Sequence, residues 1–258
     1  MFTYDKDMLI AFMGDIHGDF AVINKKIHYY QLEDAVLCQL GDFGVGFGYN
    51  DPREPKKEKK RLSMLNIFLK KRNIFLHVVR GNHDWPEFFD GNHDFSNIKF
   101  LKDYDTIEVG DVKILGLGGA VSVDRKPNRL FSDVNGRGTW PGRREGINWW
   151  KNEGFVFDEE KVKNIYGVDI VFSHTKPMFV GPNMYEGKDM HKWFADDPEL
   201  EGDLKKEGED LDKLYKILKK NSKLISWFYA HFHYTKTDII DGTKFCLLDI
   251  DEFRDLRI

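Results

Sequence analysis

Leu9-Ile10-Ala11-Phe12-Met13-Gly14-Asp15-Ile16-His17-Gly18 is the stretch from which the fold is read. Five apolar residues stop at a glycine, and a carboxylate and an imidazole follow. A continuous apolar run of this length, closed by a turn residue, marks a strand buried on both faces. The pattern returns twice downstream. Ala35 to Leu40 stops at Gly41-Asp42, and Ile74 to Val79 leads to Arg80-Gly81-Asn82-His83-Asp84. Between these runs, the spacing of Val22, Ile23, Ile27 and Tyr30 predicts a helix over 20–30. Leu62, Leu65, Ile67, Phe68 and Leu69 predict a second, entered from the polar segment 50–60 with its two prolines. Strands alternating with helices predict a largely parallel or mixed sheet. Ligands of such sheets gather at the carboxyl ends of the strands. Loops far apart in sequence are therefore expected to converge.

Further strands are predicted over 106–109, 112–117, 169–173, 224–229, 235–240 and 244–250, with Asp241-Gly242 as the hairpin turn joining the last two. Helices are predicted over 144–151, 158–166 and 210–220. Met178 to Glu209, rich in charge, Gly and Pro, reads as a surface loop or lid. A length of 258 residues fits one α/β domain spanning 1–258. The architecture drawn from these elements is a two-sheet β-sandwich flanked by helices, in four layers α/β/β/α.

An apolar fraction of 41% and a charged fraction of 32% describe a soluble globular chain. The net charge of −4 argues against non-specific nucleic-acid binding through bulk charge, while leaving room for a local basic groove. Cys38 and Cys246 sit in apolar runs without metal-ligand spacing and read as buried thiols. No basic-then-apolar leader opens the chain, and Met8 to Met13 is too short to span a bilayer. A cytoplasmic protein without a membrane partner is the expectation.

Five short motifs carry the chemistry: Gly14-Asp15-Ile16-His17-Gly18, Gly41-Asp42-Phe43-Gly44, Gly81-Asn82-His83-Asp84, Ser173-His174 and His231-Phe232-His233. Each alone is weak. Together, each at the end of an apolar strand, they are hard to explain as packing. In extended chain, residues two apart point the same way. Asp15 and His17 can therefore aim at one ion, and His231 and His233 can face one site. Mixed Asp, Asn and His ligands without cysteine suit manganese, iron, zinc or nickel, with manganese foremost. A carboxylate can bridge two ions, which makes Asp42 the natural shared ligand.

The series resembles the calcineurin-like metallophosphoesterase family, whose pattern is D-x-H, G-D, G-N-H-D/E, H and G-H-x-H. The motifs span Asp15 to His233, most of the chain. Ala230 replaces the family's usual glycine before His-x-His. The resemblance implies a β-sandwich flanked by helices that holds two divalent ions. One would be held by Asp15, His17, Asp42 and His233, the other by Asp42, Asn82, His174 and His231. His83 would stand beside the metals without binding them, oriented by Asp84.

On this reading the ions lie about 3.5–4 Å apart, and a metal-bridging hydroxide attacks phosphorus in line with the leaving oxygen. Asn82 helps stabilise charge on the non-bridging oxygens, and His83 protonates the leaving alkoxide. The expected substrate is a small-molecule or nucleotide phosphomonoester or phosphodiester. A serine/threonine phosphoprotein phosphatase is the nearer alternative. However, Phe43-Gly44-Val45-Gly46 stands where such enzymes carry Val-Asp-Arg-Gly, and Asp84 where they carry Glu. A non-catalytic metal-binding interaction scaffold is the alternative from another class, and a nuclease would need a basic groove near the metals.

Other features have plainer readings. A second Gly91-Asn92-His93-Asp94 follows no strand and reads as a turn. His28 and His77 read as surface or core residues, and Lys56 to Arg61 as a solvated helix face. His191, in the charged segment, reads as solvated. Trp149 and Trp150 read as packing. Arg125, Arg129, Arg137, Arg143 and Arg144 cluster in a glycine-rich region, where one or two could reach the substrate phosphate bidentately. Arg129 is the candidate for that role.

Overall fold

The computed structural model describes residues 1–49, 53–93, 95–127, 141–181 and 190–256. Two mixed sheets stack face to face. The first has five strands in the order β12 (Phe253–Leu256), β2 (Leu9–Met13), β3 (Ala35–Gln39), β4 (Ile74–Val78) and β5 (Ile98–Phe100). Strands β2 to β5 run parallel, and β12 closes the edge antiparallel to β2. The second has seven, in the order β1 (Phe2–Tyr4), β6 (Thr106–Val109), β7 (Val112–Leu117), β8 (Ile170–Ser173), β9 (Ser226–Tyr229), β11 (Thr243–Leu247) and β10 (Lys236–Ile240). Here β7, β8, β9 and β11 are parallel neighbours, and β10 pairs antiparallel with β11 through the Asp241-Gly242 turn.

Side-chain alternation explains why the first strands are apolar throughout. Ala11, Met13, Ala35 and Leu37 point outward, into a core shared with α1 (Phe20–Tyr29) and α2 (Glu54–Lys71). Ile10, Phe12, Val36 and Cys38 point inward, meeting Ile114, Phe172, Phe228 and Cys246 of the opposite sheet. The rings of Phe12 and Phe228 stack across this interface, 3.8 Å between centroids and 6° from parallel. Both cysteines are free thiols buried there. A third core packs Leu115, Val171, Trp227 and Phe245 of the second sheet against Leu211, Leu214, Tyr215 and Leu218 of α5 (Leu200–Asn221). Helix, sheet, sheet and helix form the four layers read from sequence.

Several local expectations need correction. Residues 144–151 form turns with one isolated bridge, Glu145 to Trp149, not a helix. Asn148 Oδ1 accepts from the Arg144 N–H at 2.6 Å, and Gly146 adopts φ of 75°. A side chain that captures the main chain in this way competes with helix. The helix predicted over 158–166 shrinks to α3 (Glu159–Lys163), capped by Asp158 accepting from Lys161 N. Helix α5 starts at Leu200, well before the expected 210, and Met190–Asp196 forms α4. Much of 178–209 is therefore helical, with 182–189 lying outside the described residues. Strands β1, β5 and β12 have three or four residues each, too few for a periodic signal. Among the described residues, no helix is long and apolar enough to cross a membrane.

Candidate metal centre

Asp15 follows β2, Asp42 follows β3, Asn82 follows β4, His174 follows β8 and His231 follows β9. All five leave the carboxyl ends of parallel strands, at one rim of the sandwich. Turn geometry then aims them. His17, Asp42, His231 and His233 all have left-handed backbone, with φ of 44°, 50°, 71° and 54°. Such conformations are sparse for non-glycine residues, each costing about 1–3 kcal/mol, and cluster at functional sites. The pairs Asp15/His17 and His231/His233 thus converge through tight turns. The extended-chain alternation expected from sequence is not what brings them together.

Two groups of ligand atoms result, each within 4.8 Å: Asp15, His17, Asp42 and His233, and then Asp42, His174 and His231. Asn82 joins the second, its Oδ1 lying 3.0 Å from His174 Nε2. Asp42 is common to both. The main chain holds it tightly. Asp42 Oδ1 accepts from the His83 N–H at 2.7 Å, and the Asp42 carbonyl accepts from the Ile16 and His17 N–H groups. Gly41 has φ of 90°, and a Cβ there would stand 2.6 Å from His174 Nδ1. Gln39, a polar residue at the end of an apolar strand, donates to the Gly41 carbonyl at 2.6 Å and to the Gly14 carbonyl at 3.3 Å.

The donor set fits divalent cations. Asp15 Oδ2 is buried and accepts no hydrogen bond from the described residues. His233 Nε2 stands 3.1 Å from it and His17 Nε2 4.0 Å, while these two nitrogens are only 3.3 Å apart. His174 Nδ1 lies 2.8 Å from the Leu40 carbonyl, which fixes that nitrogen as the donor. Its Nε2 therefore faces two oxygens, Asn82 Oδ1 at 3.0 Å and Asp42 Oδ1 at 3.2 Å. Lone pairs facing lone pairs need a cation between them, a proton or a metal. Burial lowers the proton affinity of His174, but the Asp42 carboxylate outweighs it and holds the ring up to about 9. Burial acts to raise the Asp42 carboxyl, but His174 and His83 together outweigh it and hold it well below the usual carboxylate range. Burial raises the Asp15 carboxyl, with His233 and His174 opposing.

His83 flanks both groups without belonging to either. Its ring is 4.9 Å from His17 and stacks on Phe47, 4.4 Å away and 3° from parallel. Sequence reasoning placed Asp84 against this ring. Instead the Asp84 carboxylate accepts from four main-chain N–H groups, those of Phe43, Gly44, Val45 and Gly81, at 2.6–3.2 Å. It ties the Gly-Asp loop to the Gly-Asn-His-Asp loop. The His83 ring is met by Arg143, whose Nη2 is 2.7 Å from His83 Nε2. Burial pushes His83 down to about 4, Asp42 opposing and Arg143 adding to the fall.

Arg143 belongs to the arginine cluster, but proximity to His83 had no sequence signal. Arg129 and Arg137 lie outside the described residues. Arg125 is committed to Asp197 and Asp203, at 2.6 and 2.7 Å. The Asn92 N–H donates to Asp90 Oδ1 in the second Gly-Asn-His stretch, and His93 stacks on Phe88. Asp94 is not among the described residues. His77 is buried and bonded to the Tyr4 hydroxyl at 2.8 Å. Beside His17 and His83 opens a cavity of about 460 Å³, walled by Phe47, Tyr49, Lys57 and Arg61.

A sequence profile described as calcineurin-like phosphoesterase matches residues 8–235. No curated protein matches the sequence. Among solved structures, a dimetal phosphatase from Danio rerio is similar at 12% identity and a TM-score of 0.51, covering 95% of this chain and 88% of that one. Phosphopantetheinyl hydrolase from Mycobacterium tuberculosis is similar at 12% identity and a TM-score of 0.45, over 95% and 91% of the two chains. A structure described as a 5'-nucleotidase from Staphylococcus aureus is similar at 15% identity and a TM-score of 0.45, over 94% and 49%. At 12% identity, the likeness to the first of these concerns the fold.

Proposed function

This chain belongs to the calcineurin-like phosphoesterase family, and from that premise we propose that it hydrolyses a small phosphate ester at a two-metal centre. The observation that carries the reading is the convergence of seven side chains from five separate loops, with Asp42 shared between two ligand groups. Asp15, His17, Asp42 and His233 are assigned to one ion. Asp42, Asn82, His174 and His231 are assigned to the other. An oxygen and nitrogen set without sulfur favours manganese, with iron, zinc and nickel as further candidates. Bound divalent ions supply Lewis-acid charge stabilisation and a nucleophile at neutral pH.

The chain's own residues do the rest. Asn82 Nδ2 donates to Ser122 Oγ at 3.0 Å, which holds its Oδ1 toward His174. His83 is assigned the proton for the leaving alkoxide, since its ring borders both ligand groups and the open cavity. Asp84 acts at one remove, by fixing the loop that carries His83.

A cavity of about 460 Å³ suits a small-molecule or nucleotide phosphomonoester or phosphodiester better than a folded protein substrate. Two buried free thiols favour a cytoplasmic location. The test is a turnover screen with manganese, iron, zinc and nickel. Its substrates are aryl monoesters and diesters, cyclic and linear nucleotides, and phosphopeptides. Metal-dependent turnover of a small ester, lost in Asp42→Asn, is expected. Failure with every ester and every metal would favour a binding scaffold instead.

A further inference from the structure

Arg143 is a half-buried residue whose charged side chain is largely covered by an unusual set of partners. Its side chain is 7% exposed. Nε pairs with Asp124 Oδ1 at 2.6 Å, and Nη1 donates to the Asn148 carbonyl at 3.4 Å. Its guanidinium carbon stands 5.5 Å from the centroid of the Phe47 ring, the same ring that stacks on His83. Its main-chain N–H donates to the Arg125 carbonyl, and the Arg125 side chain is paired with Asp197 and Asp203. The guanidinium is thus anchored from several sides with Nη2 at 2.7 Å from His83 Nε2. Each terminal nitrogen of a guanidinium carries two N–H groups. One on each is used by these bonds, so one on each remains among the described residues.

We propose that Arg143 is a substrate-binding residue that makes this site favour phosphomonoesters over phosphodiesters. The inference rests on the reading of the site as a phosphoesterase. A monoester at neutral pH presents nearly two negative charges on three non-bridging oxygens, and a diester presents one charge on two. A rigid guanidinium fork matches paired phosphate oxygens and cannot lose its charge. Placed against His83, it meets the oxygen that a diester lacks or has esterified. Lysine, a point charge on a flexible stem, cannot reproduce the fork.

The experiment compares wild type, Arg143→Ala, Arg143→Lys and Asp124→Asn on 4-nitrophenyl phosphate and bis(4-nitrophenyl) phosphate in the presence of manganese. Arg143→Ala is expected to lower kcat/KM for the monoester about 10–100-fold more than for the diester, the extra loss being that of a charged hydrogen bond. Inorganic phosphate should inhibit the variant more weakly by a similar factor. Arg143→Lys should restore part of the monoester rate. Asp124→Asn, which leaves the arginine in place but loosens it, should raise the monoester KM more than the diester KM. Equal losses on both esters, or unchanged inhibition by phosphate, would overturn the proposal, with melting temperatures confirming that each variant is folded. Diester turnover that persists in the variants keeps the phosphoesterase reading standing whichever way the ratio falls.

Discussion

The main-chain N–H of His83 donates to Asp42 Oδ1 at 2.7 Å, so the third motif of the chain holds the carboxylate of the second. An amide oxygen can accept the same bond. Asp42→Asn is therefore expected to fold with a melting temperature near that of wild type while losing the negative charge that both ligand groups share. Turnover should fall by about 10²-fold or more, since removing such a charge strips the electrostatic stabilisation of the reacting phosphate. Melting temperature and turnover measured side by side check this. A variant that keeps full activity would show that Asp42 is not the shared ligand.

Gly41 meets two constraints at once: φ of 90° and a Cβ position 2.6 Å from the His174 ring. Gly41→Ala should cost about 1–3 kcal/mol through the backbone alone, with the His174 clash added. Denaturant titration should record that loss. Because the displaced ring belongs to the second ligand group, metal affinity should fall with it. An alanine variant as stable as wild type would contradict the geometry.

One source of pH-dependent stability lies outside the two ligand groups. Glu207 on α5 accepts from the Phe155 and Val121 N–H groups at 3.1 and 3.4 Å. Burial pushes its carboxyl up from 4.5 to about 7, the two main-chain donors opposing. Between those values the folded chain keeps a proton that the unfolded chain has released. Stability from this group is full below the lower value and is lost as pH rises through the upper one. The size is on the order of 3 kcal/mol. Glu207→Gln should flatten the urea midpoint against pH across that window. A slope equal to that of wild type would remove Glu207 as a source.

The two parallel sheet centres were legible because burial on both faces leaves a simple trace. Ile10 and Phe12 face one core, Ala11 and Met13 another, and the whole run reads as apolar. The candidate site was legible for a related reason: each run stops where a ligand type begins. What stayed hidden depends on contacts that sequence does not encode locally. Helix α5 buries Leu200, Leu211, Leu214 and Leu218, but its outer face is charged and Gly202 and Gly208 interrupt it, so composition resembles a loop. Asp84 was expected against His83 and serves four main-chain donors instead. Arg143 reaches His83 across a separation of sixty residues, with the path set by Asp124 and Asn148.

The most direct test is an anomalous-difference map from crystals of the wild-type chain grown or soaked with manganese. Two peaks are expected in each molecule, one among Asp15, His17, Asp42 and His233, and one among Asp42, Asn82, His174 and His231, with Asp42 touching both. A map with no peak at this rim, or with manganese held only by other side chains, would contradict the two-metal centre.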